Sequence, residues 1–281
     1  MRFIFLSFCF IAAVNCASSS SEPTVTSIVD SSSTYDWTDG WQQEFPIHKS
    51  CNDTQFNQLA KALQETKELA AHARDHTVRF GNESKFFRKY FGDDSPSGEV
   101  IGIFDNVVRA DKSGVLFRCD DIDNNCQNAG WAGHWRGENA TDQTVICDLS
   151  YSSRQYLSQI CSLGFTVANS KNSVYWAADL LHRVWHTDKL GQGIVGHYAD
   201  TYKECLDLAK SNSSEAVRNS ATLRYYALDV YAYDIAVPGK GCTGKSDHSD
   251  SKDSNSETAT KSDSNGGTEC HTHSDGETHC V

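Results

Sequence analysis

Two histidines four residues apart carry the clearest chemical signal in this sequence. His182 and His186 stand in the segment LLHRVWH, and a helix would bring both imidazoles to one face, one turn apart. Two imidazoles in this position can share one metal ion, and zinc accepts histidine nitrogen at about 2.0–2.1 Å. The HExxH motif of zinc peptidases has the same spacing. The pattern predicts a zinc site, although such pairs also occur by chance in ordinary helices.

The residue after the first histidine distinguishes this motif from that of a peptidase. Arg183 stands where HExxH has a glutamate, the group that takes a proton from the zinc-bound water. A guanidinium stays protonated at physiological pH and cannot act as a base. The motif therefore favours metal binding over hydrolysis. A zincin-type metallopeptidase remains the alternative if another carboxylate, Asp200 or Glu204, serves as the base.

A third ligand is expected shortly after this motif, in the segment GHYADTYKE. His197 is the first choice, because imidazole is a common zinc ligand. Asp200 is the next candidate, either as a ligand or as an acceptor for a histidine N–H. If the segment is helical, both share a face with Glu204. Asp229 is a more distant option, and Asp179, one turn before His182, could orient that ring.

A second pair with the same spacing, His72 and His76, lies in the segment AAHARDH. These residues could form a second metal site, or they could meet the first pair in space. Only Asp75 offers a third ligand beside them. The sequence therefore slightly favours the other interpretation, that both are partly buried, hydrogen-bonded histidines.

The chain ends in a third group of histidines, in the segment CHTHSDGETHC. His271, His273 and His279 lie between Cys270 and Cys280, after a stretch with too few apolar residues to form a core. A short Cys/His tract of this kind is typical of metal binding. The two cysteines are candidate thiolate ligands or partners in a disulfide, and an oxidising compartment favours the disulfide.

These residues have to be positioned by an α+β core that is mainly helical and carries a small β-sheet. A capped helix is predicted from Asn52 to about Gly81, and a short one in SKFFRKYFG ends at Gly92. The runs EVIGIF, GVLFRC and TVICDLS read as short strands, and GWAGHWRG reads as a loop. Helices are predicted over 150–161, 172–189, 193–210 and 214–235.

The domain organisation follows from changes in composition along the chain. Residues 1–16 combine an early arginine, a short apolar run and small residues, as in a secretory signal peptide. A Ser/Thr-rich arm follows over 17–44, and the predicted metal-binding domain spans 45–242. Residues 243–281 form an acidic Ser/Asp-rich tail that is expected to be disordered up to its His/Cys end.

Charge and cysteine content point to an exported protein. The 281 residues carry a formal net charge of −12, which argues against nucleic acid as a partner. Nine cysteines follow the predicted signal peptide, so disulfides are expected. Their pairing stays open, and an odd one is left over. N-glycosylation acceptors begin at four positions: Asn52, Asn82, Asn139 and Asn212.

Several longer motifs resemble one known family. HARDHTVRFG, FFRKYFG, GWAGHWRG, DLLHRVWH, HYADTY, YYALDVYAYD and the terminal Cys/His segment are similar to those of the secreted fungal HRxxH proteins, which include the pH-regulated antigens of Candida species and an Aspergillus allergen. The resemblance implies a core distantly related to the zincin metallopeptidases. It also implies zinc as the bound metal, with the family's ligands falling on His182 and His186 and on His271, His273 and His279.

The function implied by this resemblance is that of a zincophore. Such a protein captures extracellular zinc and returns it to a plasma-membrane zinc transporter of the fungal cell. The resemblance further implies host partners, namely complement regulators, plasminogen, fibrinogen and a leukocyte integrin, and a location that is secreted and partly cell-wall-associated. An adhesion protein with structural zinc is a third hypothesis, and a homo-oligomer stays open. Because protonated imidazole cannot ligate zinc, affinity should fall as the pH drops through about 6.5.

Overall fold

The computed structural model describes residues 35–245 with their side chains, and the backbone of residues 270–272 and 278–280. The chain divides into two units, residues 1–39 and 40–281. In the described part of the first unit, the Asp36 carboxylate accepts hydrogen bonds from the backbone N–H and the hydroxyl of Thr38. The predicted signal peptide and most of the arm and tail lie outside the described residues. The predicted domain boundaries stay predictions.

Nine α-helices build most of the described part of the second unit. They are α1 Asp53–Phe80, α2 Lys85–Phe91, α3 Ser97–Arg109, α4 Asp148–Ser153, α5 Trp176–Trp185, α6 Asp188–Gly191, α7 Tyr202–Ser211, α8 Ser213–Ala216 and α9 Ser220–Tyr231. A π-helical turn, Ala232–Ala236, continues α9. Short 3₁₀ turns lie at Gly81–Glu83, Asn125–Gln127, Gly137–Asn139 and Leu157–Gln159. Within the described ranges, no helix is long and apolar enough to cross a membrane.

The long first helix starts and stops where its sequence signals predict. Asn52 and Gln55 form a capping box, in which each side chain accepts the other residue's backbone N–H. Gly81 ends α1 with a φ of +47°, which a residue without a Cβ adopts readily. α1 packs against α3, α5 and α9. Because all residues of α5 and α9 are buried, these two helices form the centre of the fold.

Three short strands form a mixed sheet in the order β1-β3-β2, with β1 Leu116–Arg118, β2 Gly133–Trp135 and β3 Gln143–Ile146. β1 runs parallel to β3, with Phe117 opposite Thr144, and β2 runs antiparallel to β3, with His134 opposite Val145. β2 is therefore an edge strand. β4 Cys270–Thr272 and β5 Thr278–Cys280 form a separate antiparallel hairpin, and Cα atoms of β4 lie within 8 Å of those of β2.

Three disulfides tie the loops to this core. They join Cys51 to Cys119, Cys126 to Cys147, and Cys161 to Cys242. Cys205 is the free cysteine among residues 35–245, and it is buried. The expected α+β class with a small sheet and disulfides is confirmed.

Four of the predicted elements are wrong. The helix predicted over 150–161 ends at Ser153, because Gln155 forms a β-bridge with Tyr175. EVIGIF belongs to α3, because Val100, Ile103, Phe104 and Val107 recur at helical spacing and are buried on one face. GWAGHWRG contains β2, which pairs with β3 next to the Cys126–Cys147 disulfide. Residues 193–201 are not helical, because the Thr201 side chain caps α7 and the helix starts only at Tyr202.

Candidate metal centre

Three histidine side chains converge at one point beside α5. His186 Nε2 lies 2.7 Å from His182 Nε2 and 3.3 Å from His197 Nε2. The ligand nitrogens of all three lie within 4.8 Å of one another. Two nitrogens that share a tetrahedral zinc ion at about 2.0–2.1 Å are roughly 3.4 Å apart. The donor set therefore fits zinc once the distance between the Nε2 atoms of His182 and His186 widens by about 0.7 Å.

The three rings are held by different elements. His182 lies in the last turn of α5 and is buried, and His186 is the residue that ends this helix. His197 lies in the loop before α7, where Gly196 forms a β-bridge with Asn219. The Asn219 side chain also accepts hydrogen bonds from the backbone N–H groups of Tyr198 and Ala199. The start of α9 thus fixes the third histidine.

Ring stacking keeps the centre compact while leaving it accessible. The His186 ring stacks on His197 with centroids 5.2 Å apart, and on Trp135 of β2 with centroids 6.4 Å apart. His186 and His197 are half-buried, whereas His182 is buried. The centre thus combines one buried and two half-buried imidazoles.

His197, the expected third ligand, lies beside His186, but the helix face predicted for its segment is wrong. It does not share a helix face with Asp200 and Glu204, because it precedes α7. Asp200 lies at the other ring nitrogen, with its Oδ1 3.9 Å from His197 Nδ1. Glu204 accepts the backbone N–H of Thr201, which lowers its pKa. Glu204 is thus engaged in capping α7.

Arg183 belongs to a buried ion cluster beside the three histidines. Its Nε lies 2.9 Å from Asp179 Oδ2, and Arg154 Nη2 lies 3.2 Å from Asp179 Oδ1. Asp179, which was expected to orient His182, is thus paired with two arginines. Burial raises the pKa of Asp179, but the two guanidiniums outweigh burial and hold that pKa well below its usual range.

The same arginine reaches the edge strand of the sheet. A Cβ added to Gly133 would lie 2.6 Å from Arg183 Nη1 and would collide with the Val145 carbonyl. Only glycine fits between this guanidinium and β3. Position 183, where a peptidase has its base, is therefore occupied by a side chain packed against Asp179 and β2. Arg154 was not found by sequence reasoning, because it lies 25 residues before Asp179 in a segment without a motif.

The second histidine pair meets a different carboxylate from the one expected. His72 Nε2 lies 3.0 Å and His76 Nδ1 2.6 Å from Asp234 Oδ2. Asp75 instead pairs with Arg74. His76 Nε2 lies 2.8 Å from the hydroxyl of Ser84. Asp234 sits in the π-helical turn after α9, a feature that a periodicity of 3.6 residues cannot reveal, although such turns often mark functional sites.

Two further candidates for metal ligation, the group around His134 and the carboxylate of Asp229, have other partners. His134 lies near Cys126 and Cys147, but these sulfurs form a disulfide, and His134 Nε2 lies 3.1 Å from Asp123. Asp229, the distant ligand candidate, is buried and accepts from Lys89, Tyr90 and Thr243. Its three partners make it structural.

The tail and the glycosylation acceptors are described in part. In the hairpin, His271 is opposite His279, and Cys270 is opposite Cys280. His273 lies outside the described residues.

The four N-glycosylation acceptors differ in exposure. Asn52 and Asn139 are exposed, whereas Asn82 and Asn212 are half-buried. The Asn82 amide donates to the carbonyls of Asp93 and Ser95, so a glycan there would compete with these bonds.

Comparison with known proteins places the chain in a family. A family model named HRXXH and described as a putative peptidase family matches residues 1–245. The chain belongs to the HRXXH family. The family's name reproduces the motif on His182, Arg183 and His186, so the resemblance seen in the sequence is confirmed.

Proteins with similar sequences come from several fungi. The chain is 57% identical to the pH-regulated antigen PRA1 of Candida albicans, over 90% of this chain and 86% of that protein. It is 52% identical to the major allergen Asp f 2 of Aspergillus fumigatus, over 75% and 68%. It is 38% identical to the protein ZPS1 of Saccharomyces cerevisiae, over 73% and 82%.

A solved zinc peptidase from Grifola frondosa has a partly similar structure. It aligns with a TM-score of 0.48 at 16% identity, over 64% of this chain and 97% of that one. A likeness at this level carries no conclusion about activity, and the zincin-like character of the HRXXH core stays a prediction.

Proposed function

We propose that His182, His186 and His197 bind zinc and that the protein is a secreted zinc carrier. The observation that carries this proposal is the convergence of three imidazole nitrogens, two of them on half-buried rings. Neutral imidazoles suit zinc, and three of them hold it without a charged ligand. Three disulfides fit export to an oxidising compartment.

A carrier accounts for the surroundings of the metal better than a hydrolase. Arg183 is paired with Asp179, and Glu204 is engaged in capping α7, so neither is placed as a base. The carrier would act as a zincophore that takes up extracellular zinc and delivers it to a plasma-membrane zinc transporter. Binding of host proteins for immune evasion, and partial attachment to the cell surface, belong to the same proposal.

The test of the zinc site is a competition titration against a chromogenic chelator. We expect His182→Ala/His186→Ala to weaken the tightest zinc site at least 100-fold. His48→Ala is the matched control, because the His48 ring bonds to Ser50 within its own turn, and it should leave affinity unchanged. Equal zinc affinity in the wild type and the double variant would show that these histidines do not form the zinc site. Unfolding on chelation, followed by circular dichroism, would favour structural zinc over a carrier.

Delivery needs a separate experiment with cells. Zinc-starved fungal cells are given zinc-loaded wild-type protein or the double variant, in strains with and without the plasma-membrane zinc transporter. We expect growth to recover only with wild-type protein and only when the transporter is present. Recovery without the transporter would contradict delivery while leaving zinc binding intact.

One observation keeps hydrolysis as a second candidate. Three histidines leave one zinc position open, as catalytic zinc sites do, and His186 and His197 are half-buried at that side. Zinc-loaded protein would then hydrolyse peptides in a reaction that a chelator stops. We expect no such activity, because Arg183 is paired with Asp179 and Glu204 caps α7. Chelator-sensitive hydrolysis that the double variant lacks would establish the peptidase instead.

We also propose a second, weaker zinc site at His72, His76 and Asp234. Their ligand atoms lie within 4.8 Å of one another, and Ser84 can orient His76 through its other nitrogen, as partners outside metal shells do. We expect Asp234→Asn to remove one bound zinc ion. Asp75→Asn, on the carboxylate that pairs with Arg74, is the control. Unchanged stoichiometry in Asp234→Asn would show that the cluster is a hydrogen-bonded one.

A further inference from the structure

The Cys126–Cys147 disulfide lies at the edge of the three-stranded sheet, beside a buried histidine. Cys147 directly follows β3, and its backbone N–H donates to Ala132 O, so the pairing with β2 extends to this residue. Because side chains alternate between the faces of a sheet, Cys147 shares the face of Val145, which is opposite His134. The ligand atoms of Cys126, His134 and Cys147 lie within 4.8 Å of one another. Two sulfurs and one imidazole thus meet at this edge.

The His134 ring has one nitrogen that is bonded and one that is not. Its Nε2 lies 3.1 Å from Asp123 Oδ2, and Arg136 donates to both oxygens of that carboxylate. The Arg136 guanidinium lowers the pKa of Asp123, and burial lowers the pKa of His134, so a neutral imidazole faces a carboxylate at neutral pH. Nε2 therefore carries the proton and donates it to Asp123. Nδ1 is left with its lone pair.

This lone pair is buried without a donor. Nδ1 of His134 has no hydrogen-bond partner among residues 35–245, which is unfavourable for a buried polar atom. The neighbouring disulfide cannot supply a proton, because neither sulfur carries one. A carboxylate on one ring nitrogen and a free lone pair on the other is the arrangement found in metal-ligating histidines. The environment of His134 therefore suits a cation at Nδ1.

The disulfide can be reached from outside this cluster. A cavity of about 390 Å³ is lined by Cys126 and Cys147, together with the carboxylate residues Asp121 and Asp148. Cys126 is half-buried and Asp148 is exposed. A small reductant can therefore approach the bond, and a cation would enter past acidic groups.

We propose that reduction of the Cys126–Cys147 disulfide creates a zinc site of two thiolates and His134 Nδ1, separate from the three-histidine centre. A dithiol performs the reduction by exchange: its own two sulfurs become a disulfide, and both cysteines become thiols. Zinc then binds the two thiolates and releases their two protons. Because zinc binds cysteine sulfur at about 2.3 Å, the two sulfurs separate to about 3.8 Å around the ion.

Oxidation reverses both steps. An oxidised dithiol takes up the two electrons as the disulfide re-forms, and zinc leaves because a disulfide is a much poorer ligand than two thiolates. The site thus responds to the thiol redox state of the surroundings. The three-histidine centre contains no sulfur, so its zinc affinity should not depend directly on that state.

The test uses Co²⁺ as the probe, because cobalt bound to thiolate absorbs in the near ultraviolet and cobalt bound only to histidine does not. The full-length chain carries Cys270→Ser/Cys280→Ser, so that the terminal cysteines add no thiolate. A water-soluble phosphine, which takes the oxygen of one water as it splits each disulfide, reduces the protein without air and is then removed. We expect reduction to add one bound Co²⁺ ion together with thiolate absorption, and Zn²⁺ to displace that ion.

Three substitutions locate the added ion. Cys126→Ser/Cys147→Ser should abolish the thiolate absorption. Asp123→Asn removes the charged acceptor of the His134 N–H and should weaken binding about 10- to 100-fold, and His134→Ala should weaken it at least as much. The matched control removes a different disulfide, Cys161–Cys242, by changing both residues to serine. It should leave absorption and affinity as in the parent chain.

The contrary results are distinct. Reduction without thiolate absorption would overturn the proposal, and so would unchanged affinity in His134→Ala. An equal loss in the Cys161→Ser/Cys242→Ser control would overturn it as well, because thiols of an unfolded chain would then be binding the ion, and circular dichroism of the same samples shows whether the helices remain. His182→Ala/His186→Ala should keep the thiolate absorption, so this proposal and the proposed carrier function fail separately.

Discussion

The motif differs from HExxH in more than the loss of a catalytic base, as the contacts of Arg183 show. Its guanidinium is buried between α5 and β2 and is bonded to Asp179. Arg154 completes the cluster from the other side of that carboxylate. Buried charges are stable only when they are paired, because desolvation of each ion costs several kcal/mol. The arginine therefore has a structural role that a glutamate at this position could not fill.

Replacing Asp179 should be strongly destabilising. Asp179→Asn keeps the shape but leaves two buried guanidiniums without their counter-ion, so we expect a loss of about 3–5 kcal/mol in the free energy of unfolding. Urea denaturation followed by fluorescence measures it. Asp207→Asn, which breaks exposed pairs with Lys203 and Lys210, is the control and should cost at most about 1 kcal/mol. Similar losses in both variants would contradict the cluster.

Restoring the peptidase motif should not restore a peptidase. Arg183→Glu would set a second carboxylate against Asp179 in a buried environment, and Arg154 alone would have to balance both. We expect a less stable protein without hydrolytic activity, measured with a quenched fluorescent peptide library at saturating zinc. Arg183→Lys controls for loss of the guanidinium while keeping the charge. Zinc-dependent cleavage by Arg183→Glu would show that position 183 reaches the metal.

Among the elements, those defined by local signals were predictable and those defined by long-range pairing were not. α1 and α2 have side-chain caps at their starts and glycine at their ends, and both were predicted correctly. β2 has three residues, and its position depends on pairing with β3, which no neighbouring residue encodes.

The residues of the candidate site also divide into those that local sequence signals predict and those that depend on long-range contacts. His182 and His186 are fixed by helix periodicity, so the sequence predicted them. Asp234 approaches His72 and His76 from 158 or more residues away, and it does so from a π-helical turn. His197 was selected for its chemistry alone, because its loop is positioned by Asn219.

The end of α3 offers a test of stability against pH. Lys112 is buried, and its ammonium group donates to the carbonyls of Val108 and Ala110. Burial lowers the pKa of Lys112 to about 8, whereas an unfolded lysine titrates near 10.4. Between these values the unfolded chain binds the extra proton, so the free energy of unfolding should rise with pH. Below about pH 8, where Lys112 is protonated in both states, its contribution to the free energy of unfolding is constant.

The comparison is made with a variant that cannot titrate at this position. Urea denaturation at several pH values from 7 to 10 should show stability rising more steeply in wild type than in Lys112→Met. Lys210→Met, at an exposed residue, should follow the wild-type profile. Parallel profiles for wild type and Lys112→Met would mean that Lys112 keeps an ordinary pKa.

At the scale of the whole molecule, the disulfides differ in how much chain they enclose. Cys161–Cys242 spans 81 residues, whereas Cys126–Cys147 spans 21. In the chain-entropy model the longer loop stabilises more, by about 4 kcal/mol against about 3 kcal/mol. We expect Cys161→Ser/Cys242→Ser to lower the free energy of unfolding more than Cys126→Ser/Cys147→Ser, as measured by urea denaturation. The reverse order would show that strain or residual unfolded structure outweighs loop length.

Cys205 has a consequence for the passage of this chain through an oxidising compartment. Its sulfur is buried at α7, next to the Asn219 amide, and burial raises the pKa of the thiol to about 12. A thiol that hardly ionises at neutral pH attacks disulfides very slowly. Once α7 has docked, the Cys205 thiol should neither exchange with the three disulfides of residues 35–245 nor cross-link neighbouring molecules. Substitutions that loosen α7 should therefore appear first as covalent dimers on a non-reducing gel, before any loss of helical signal.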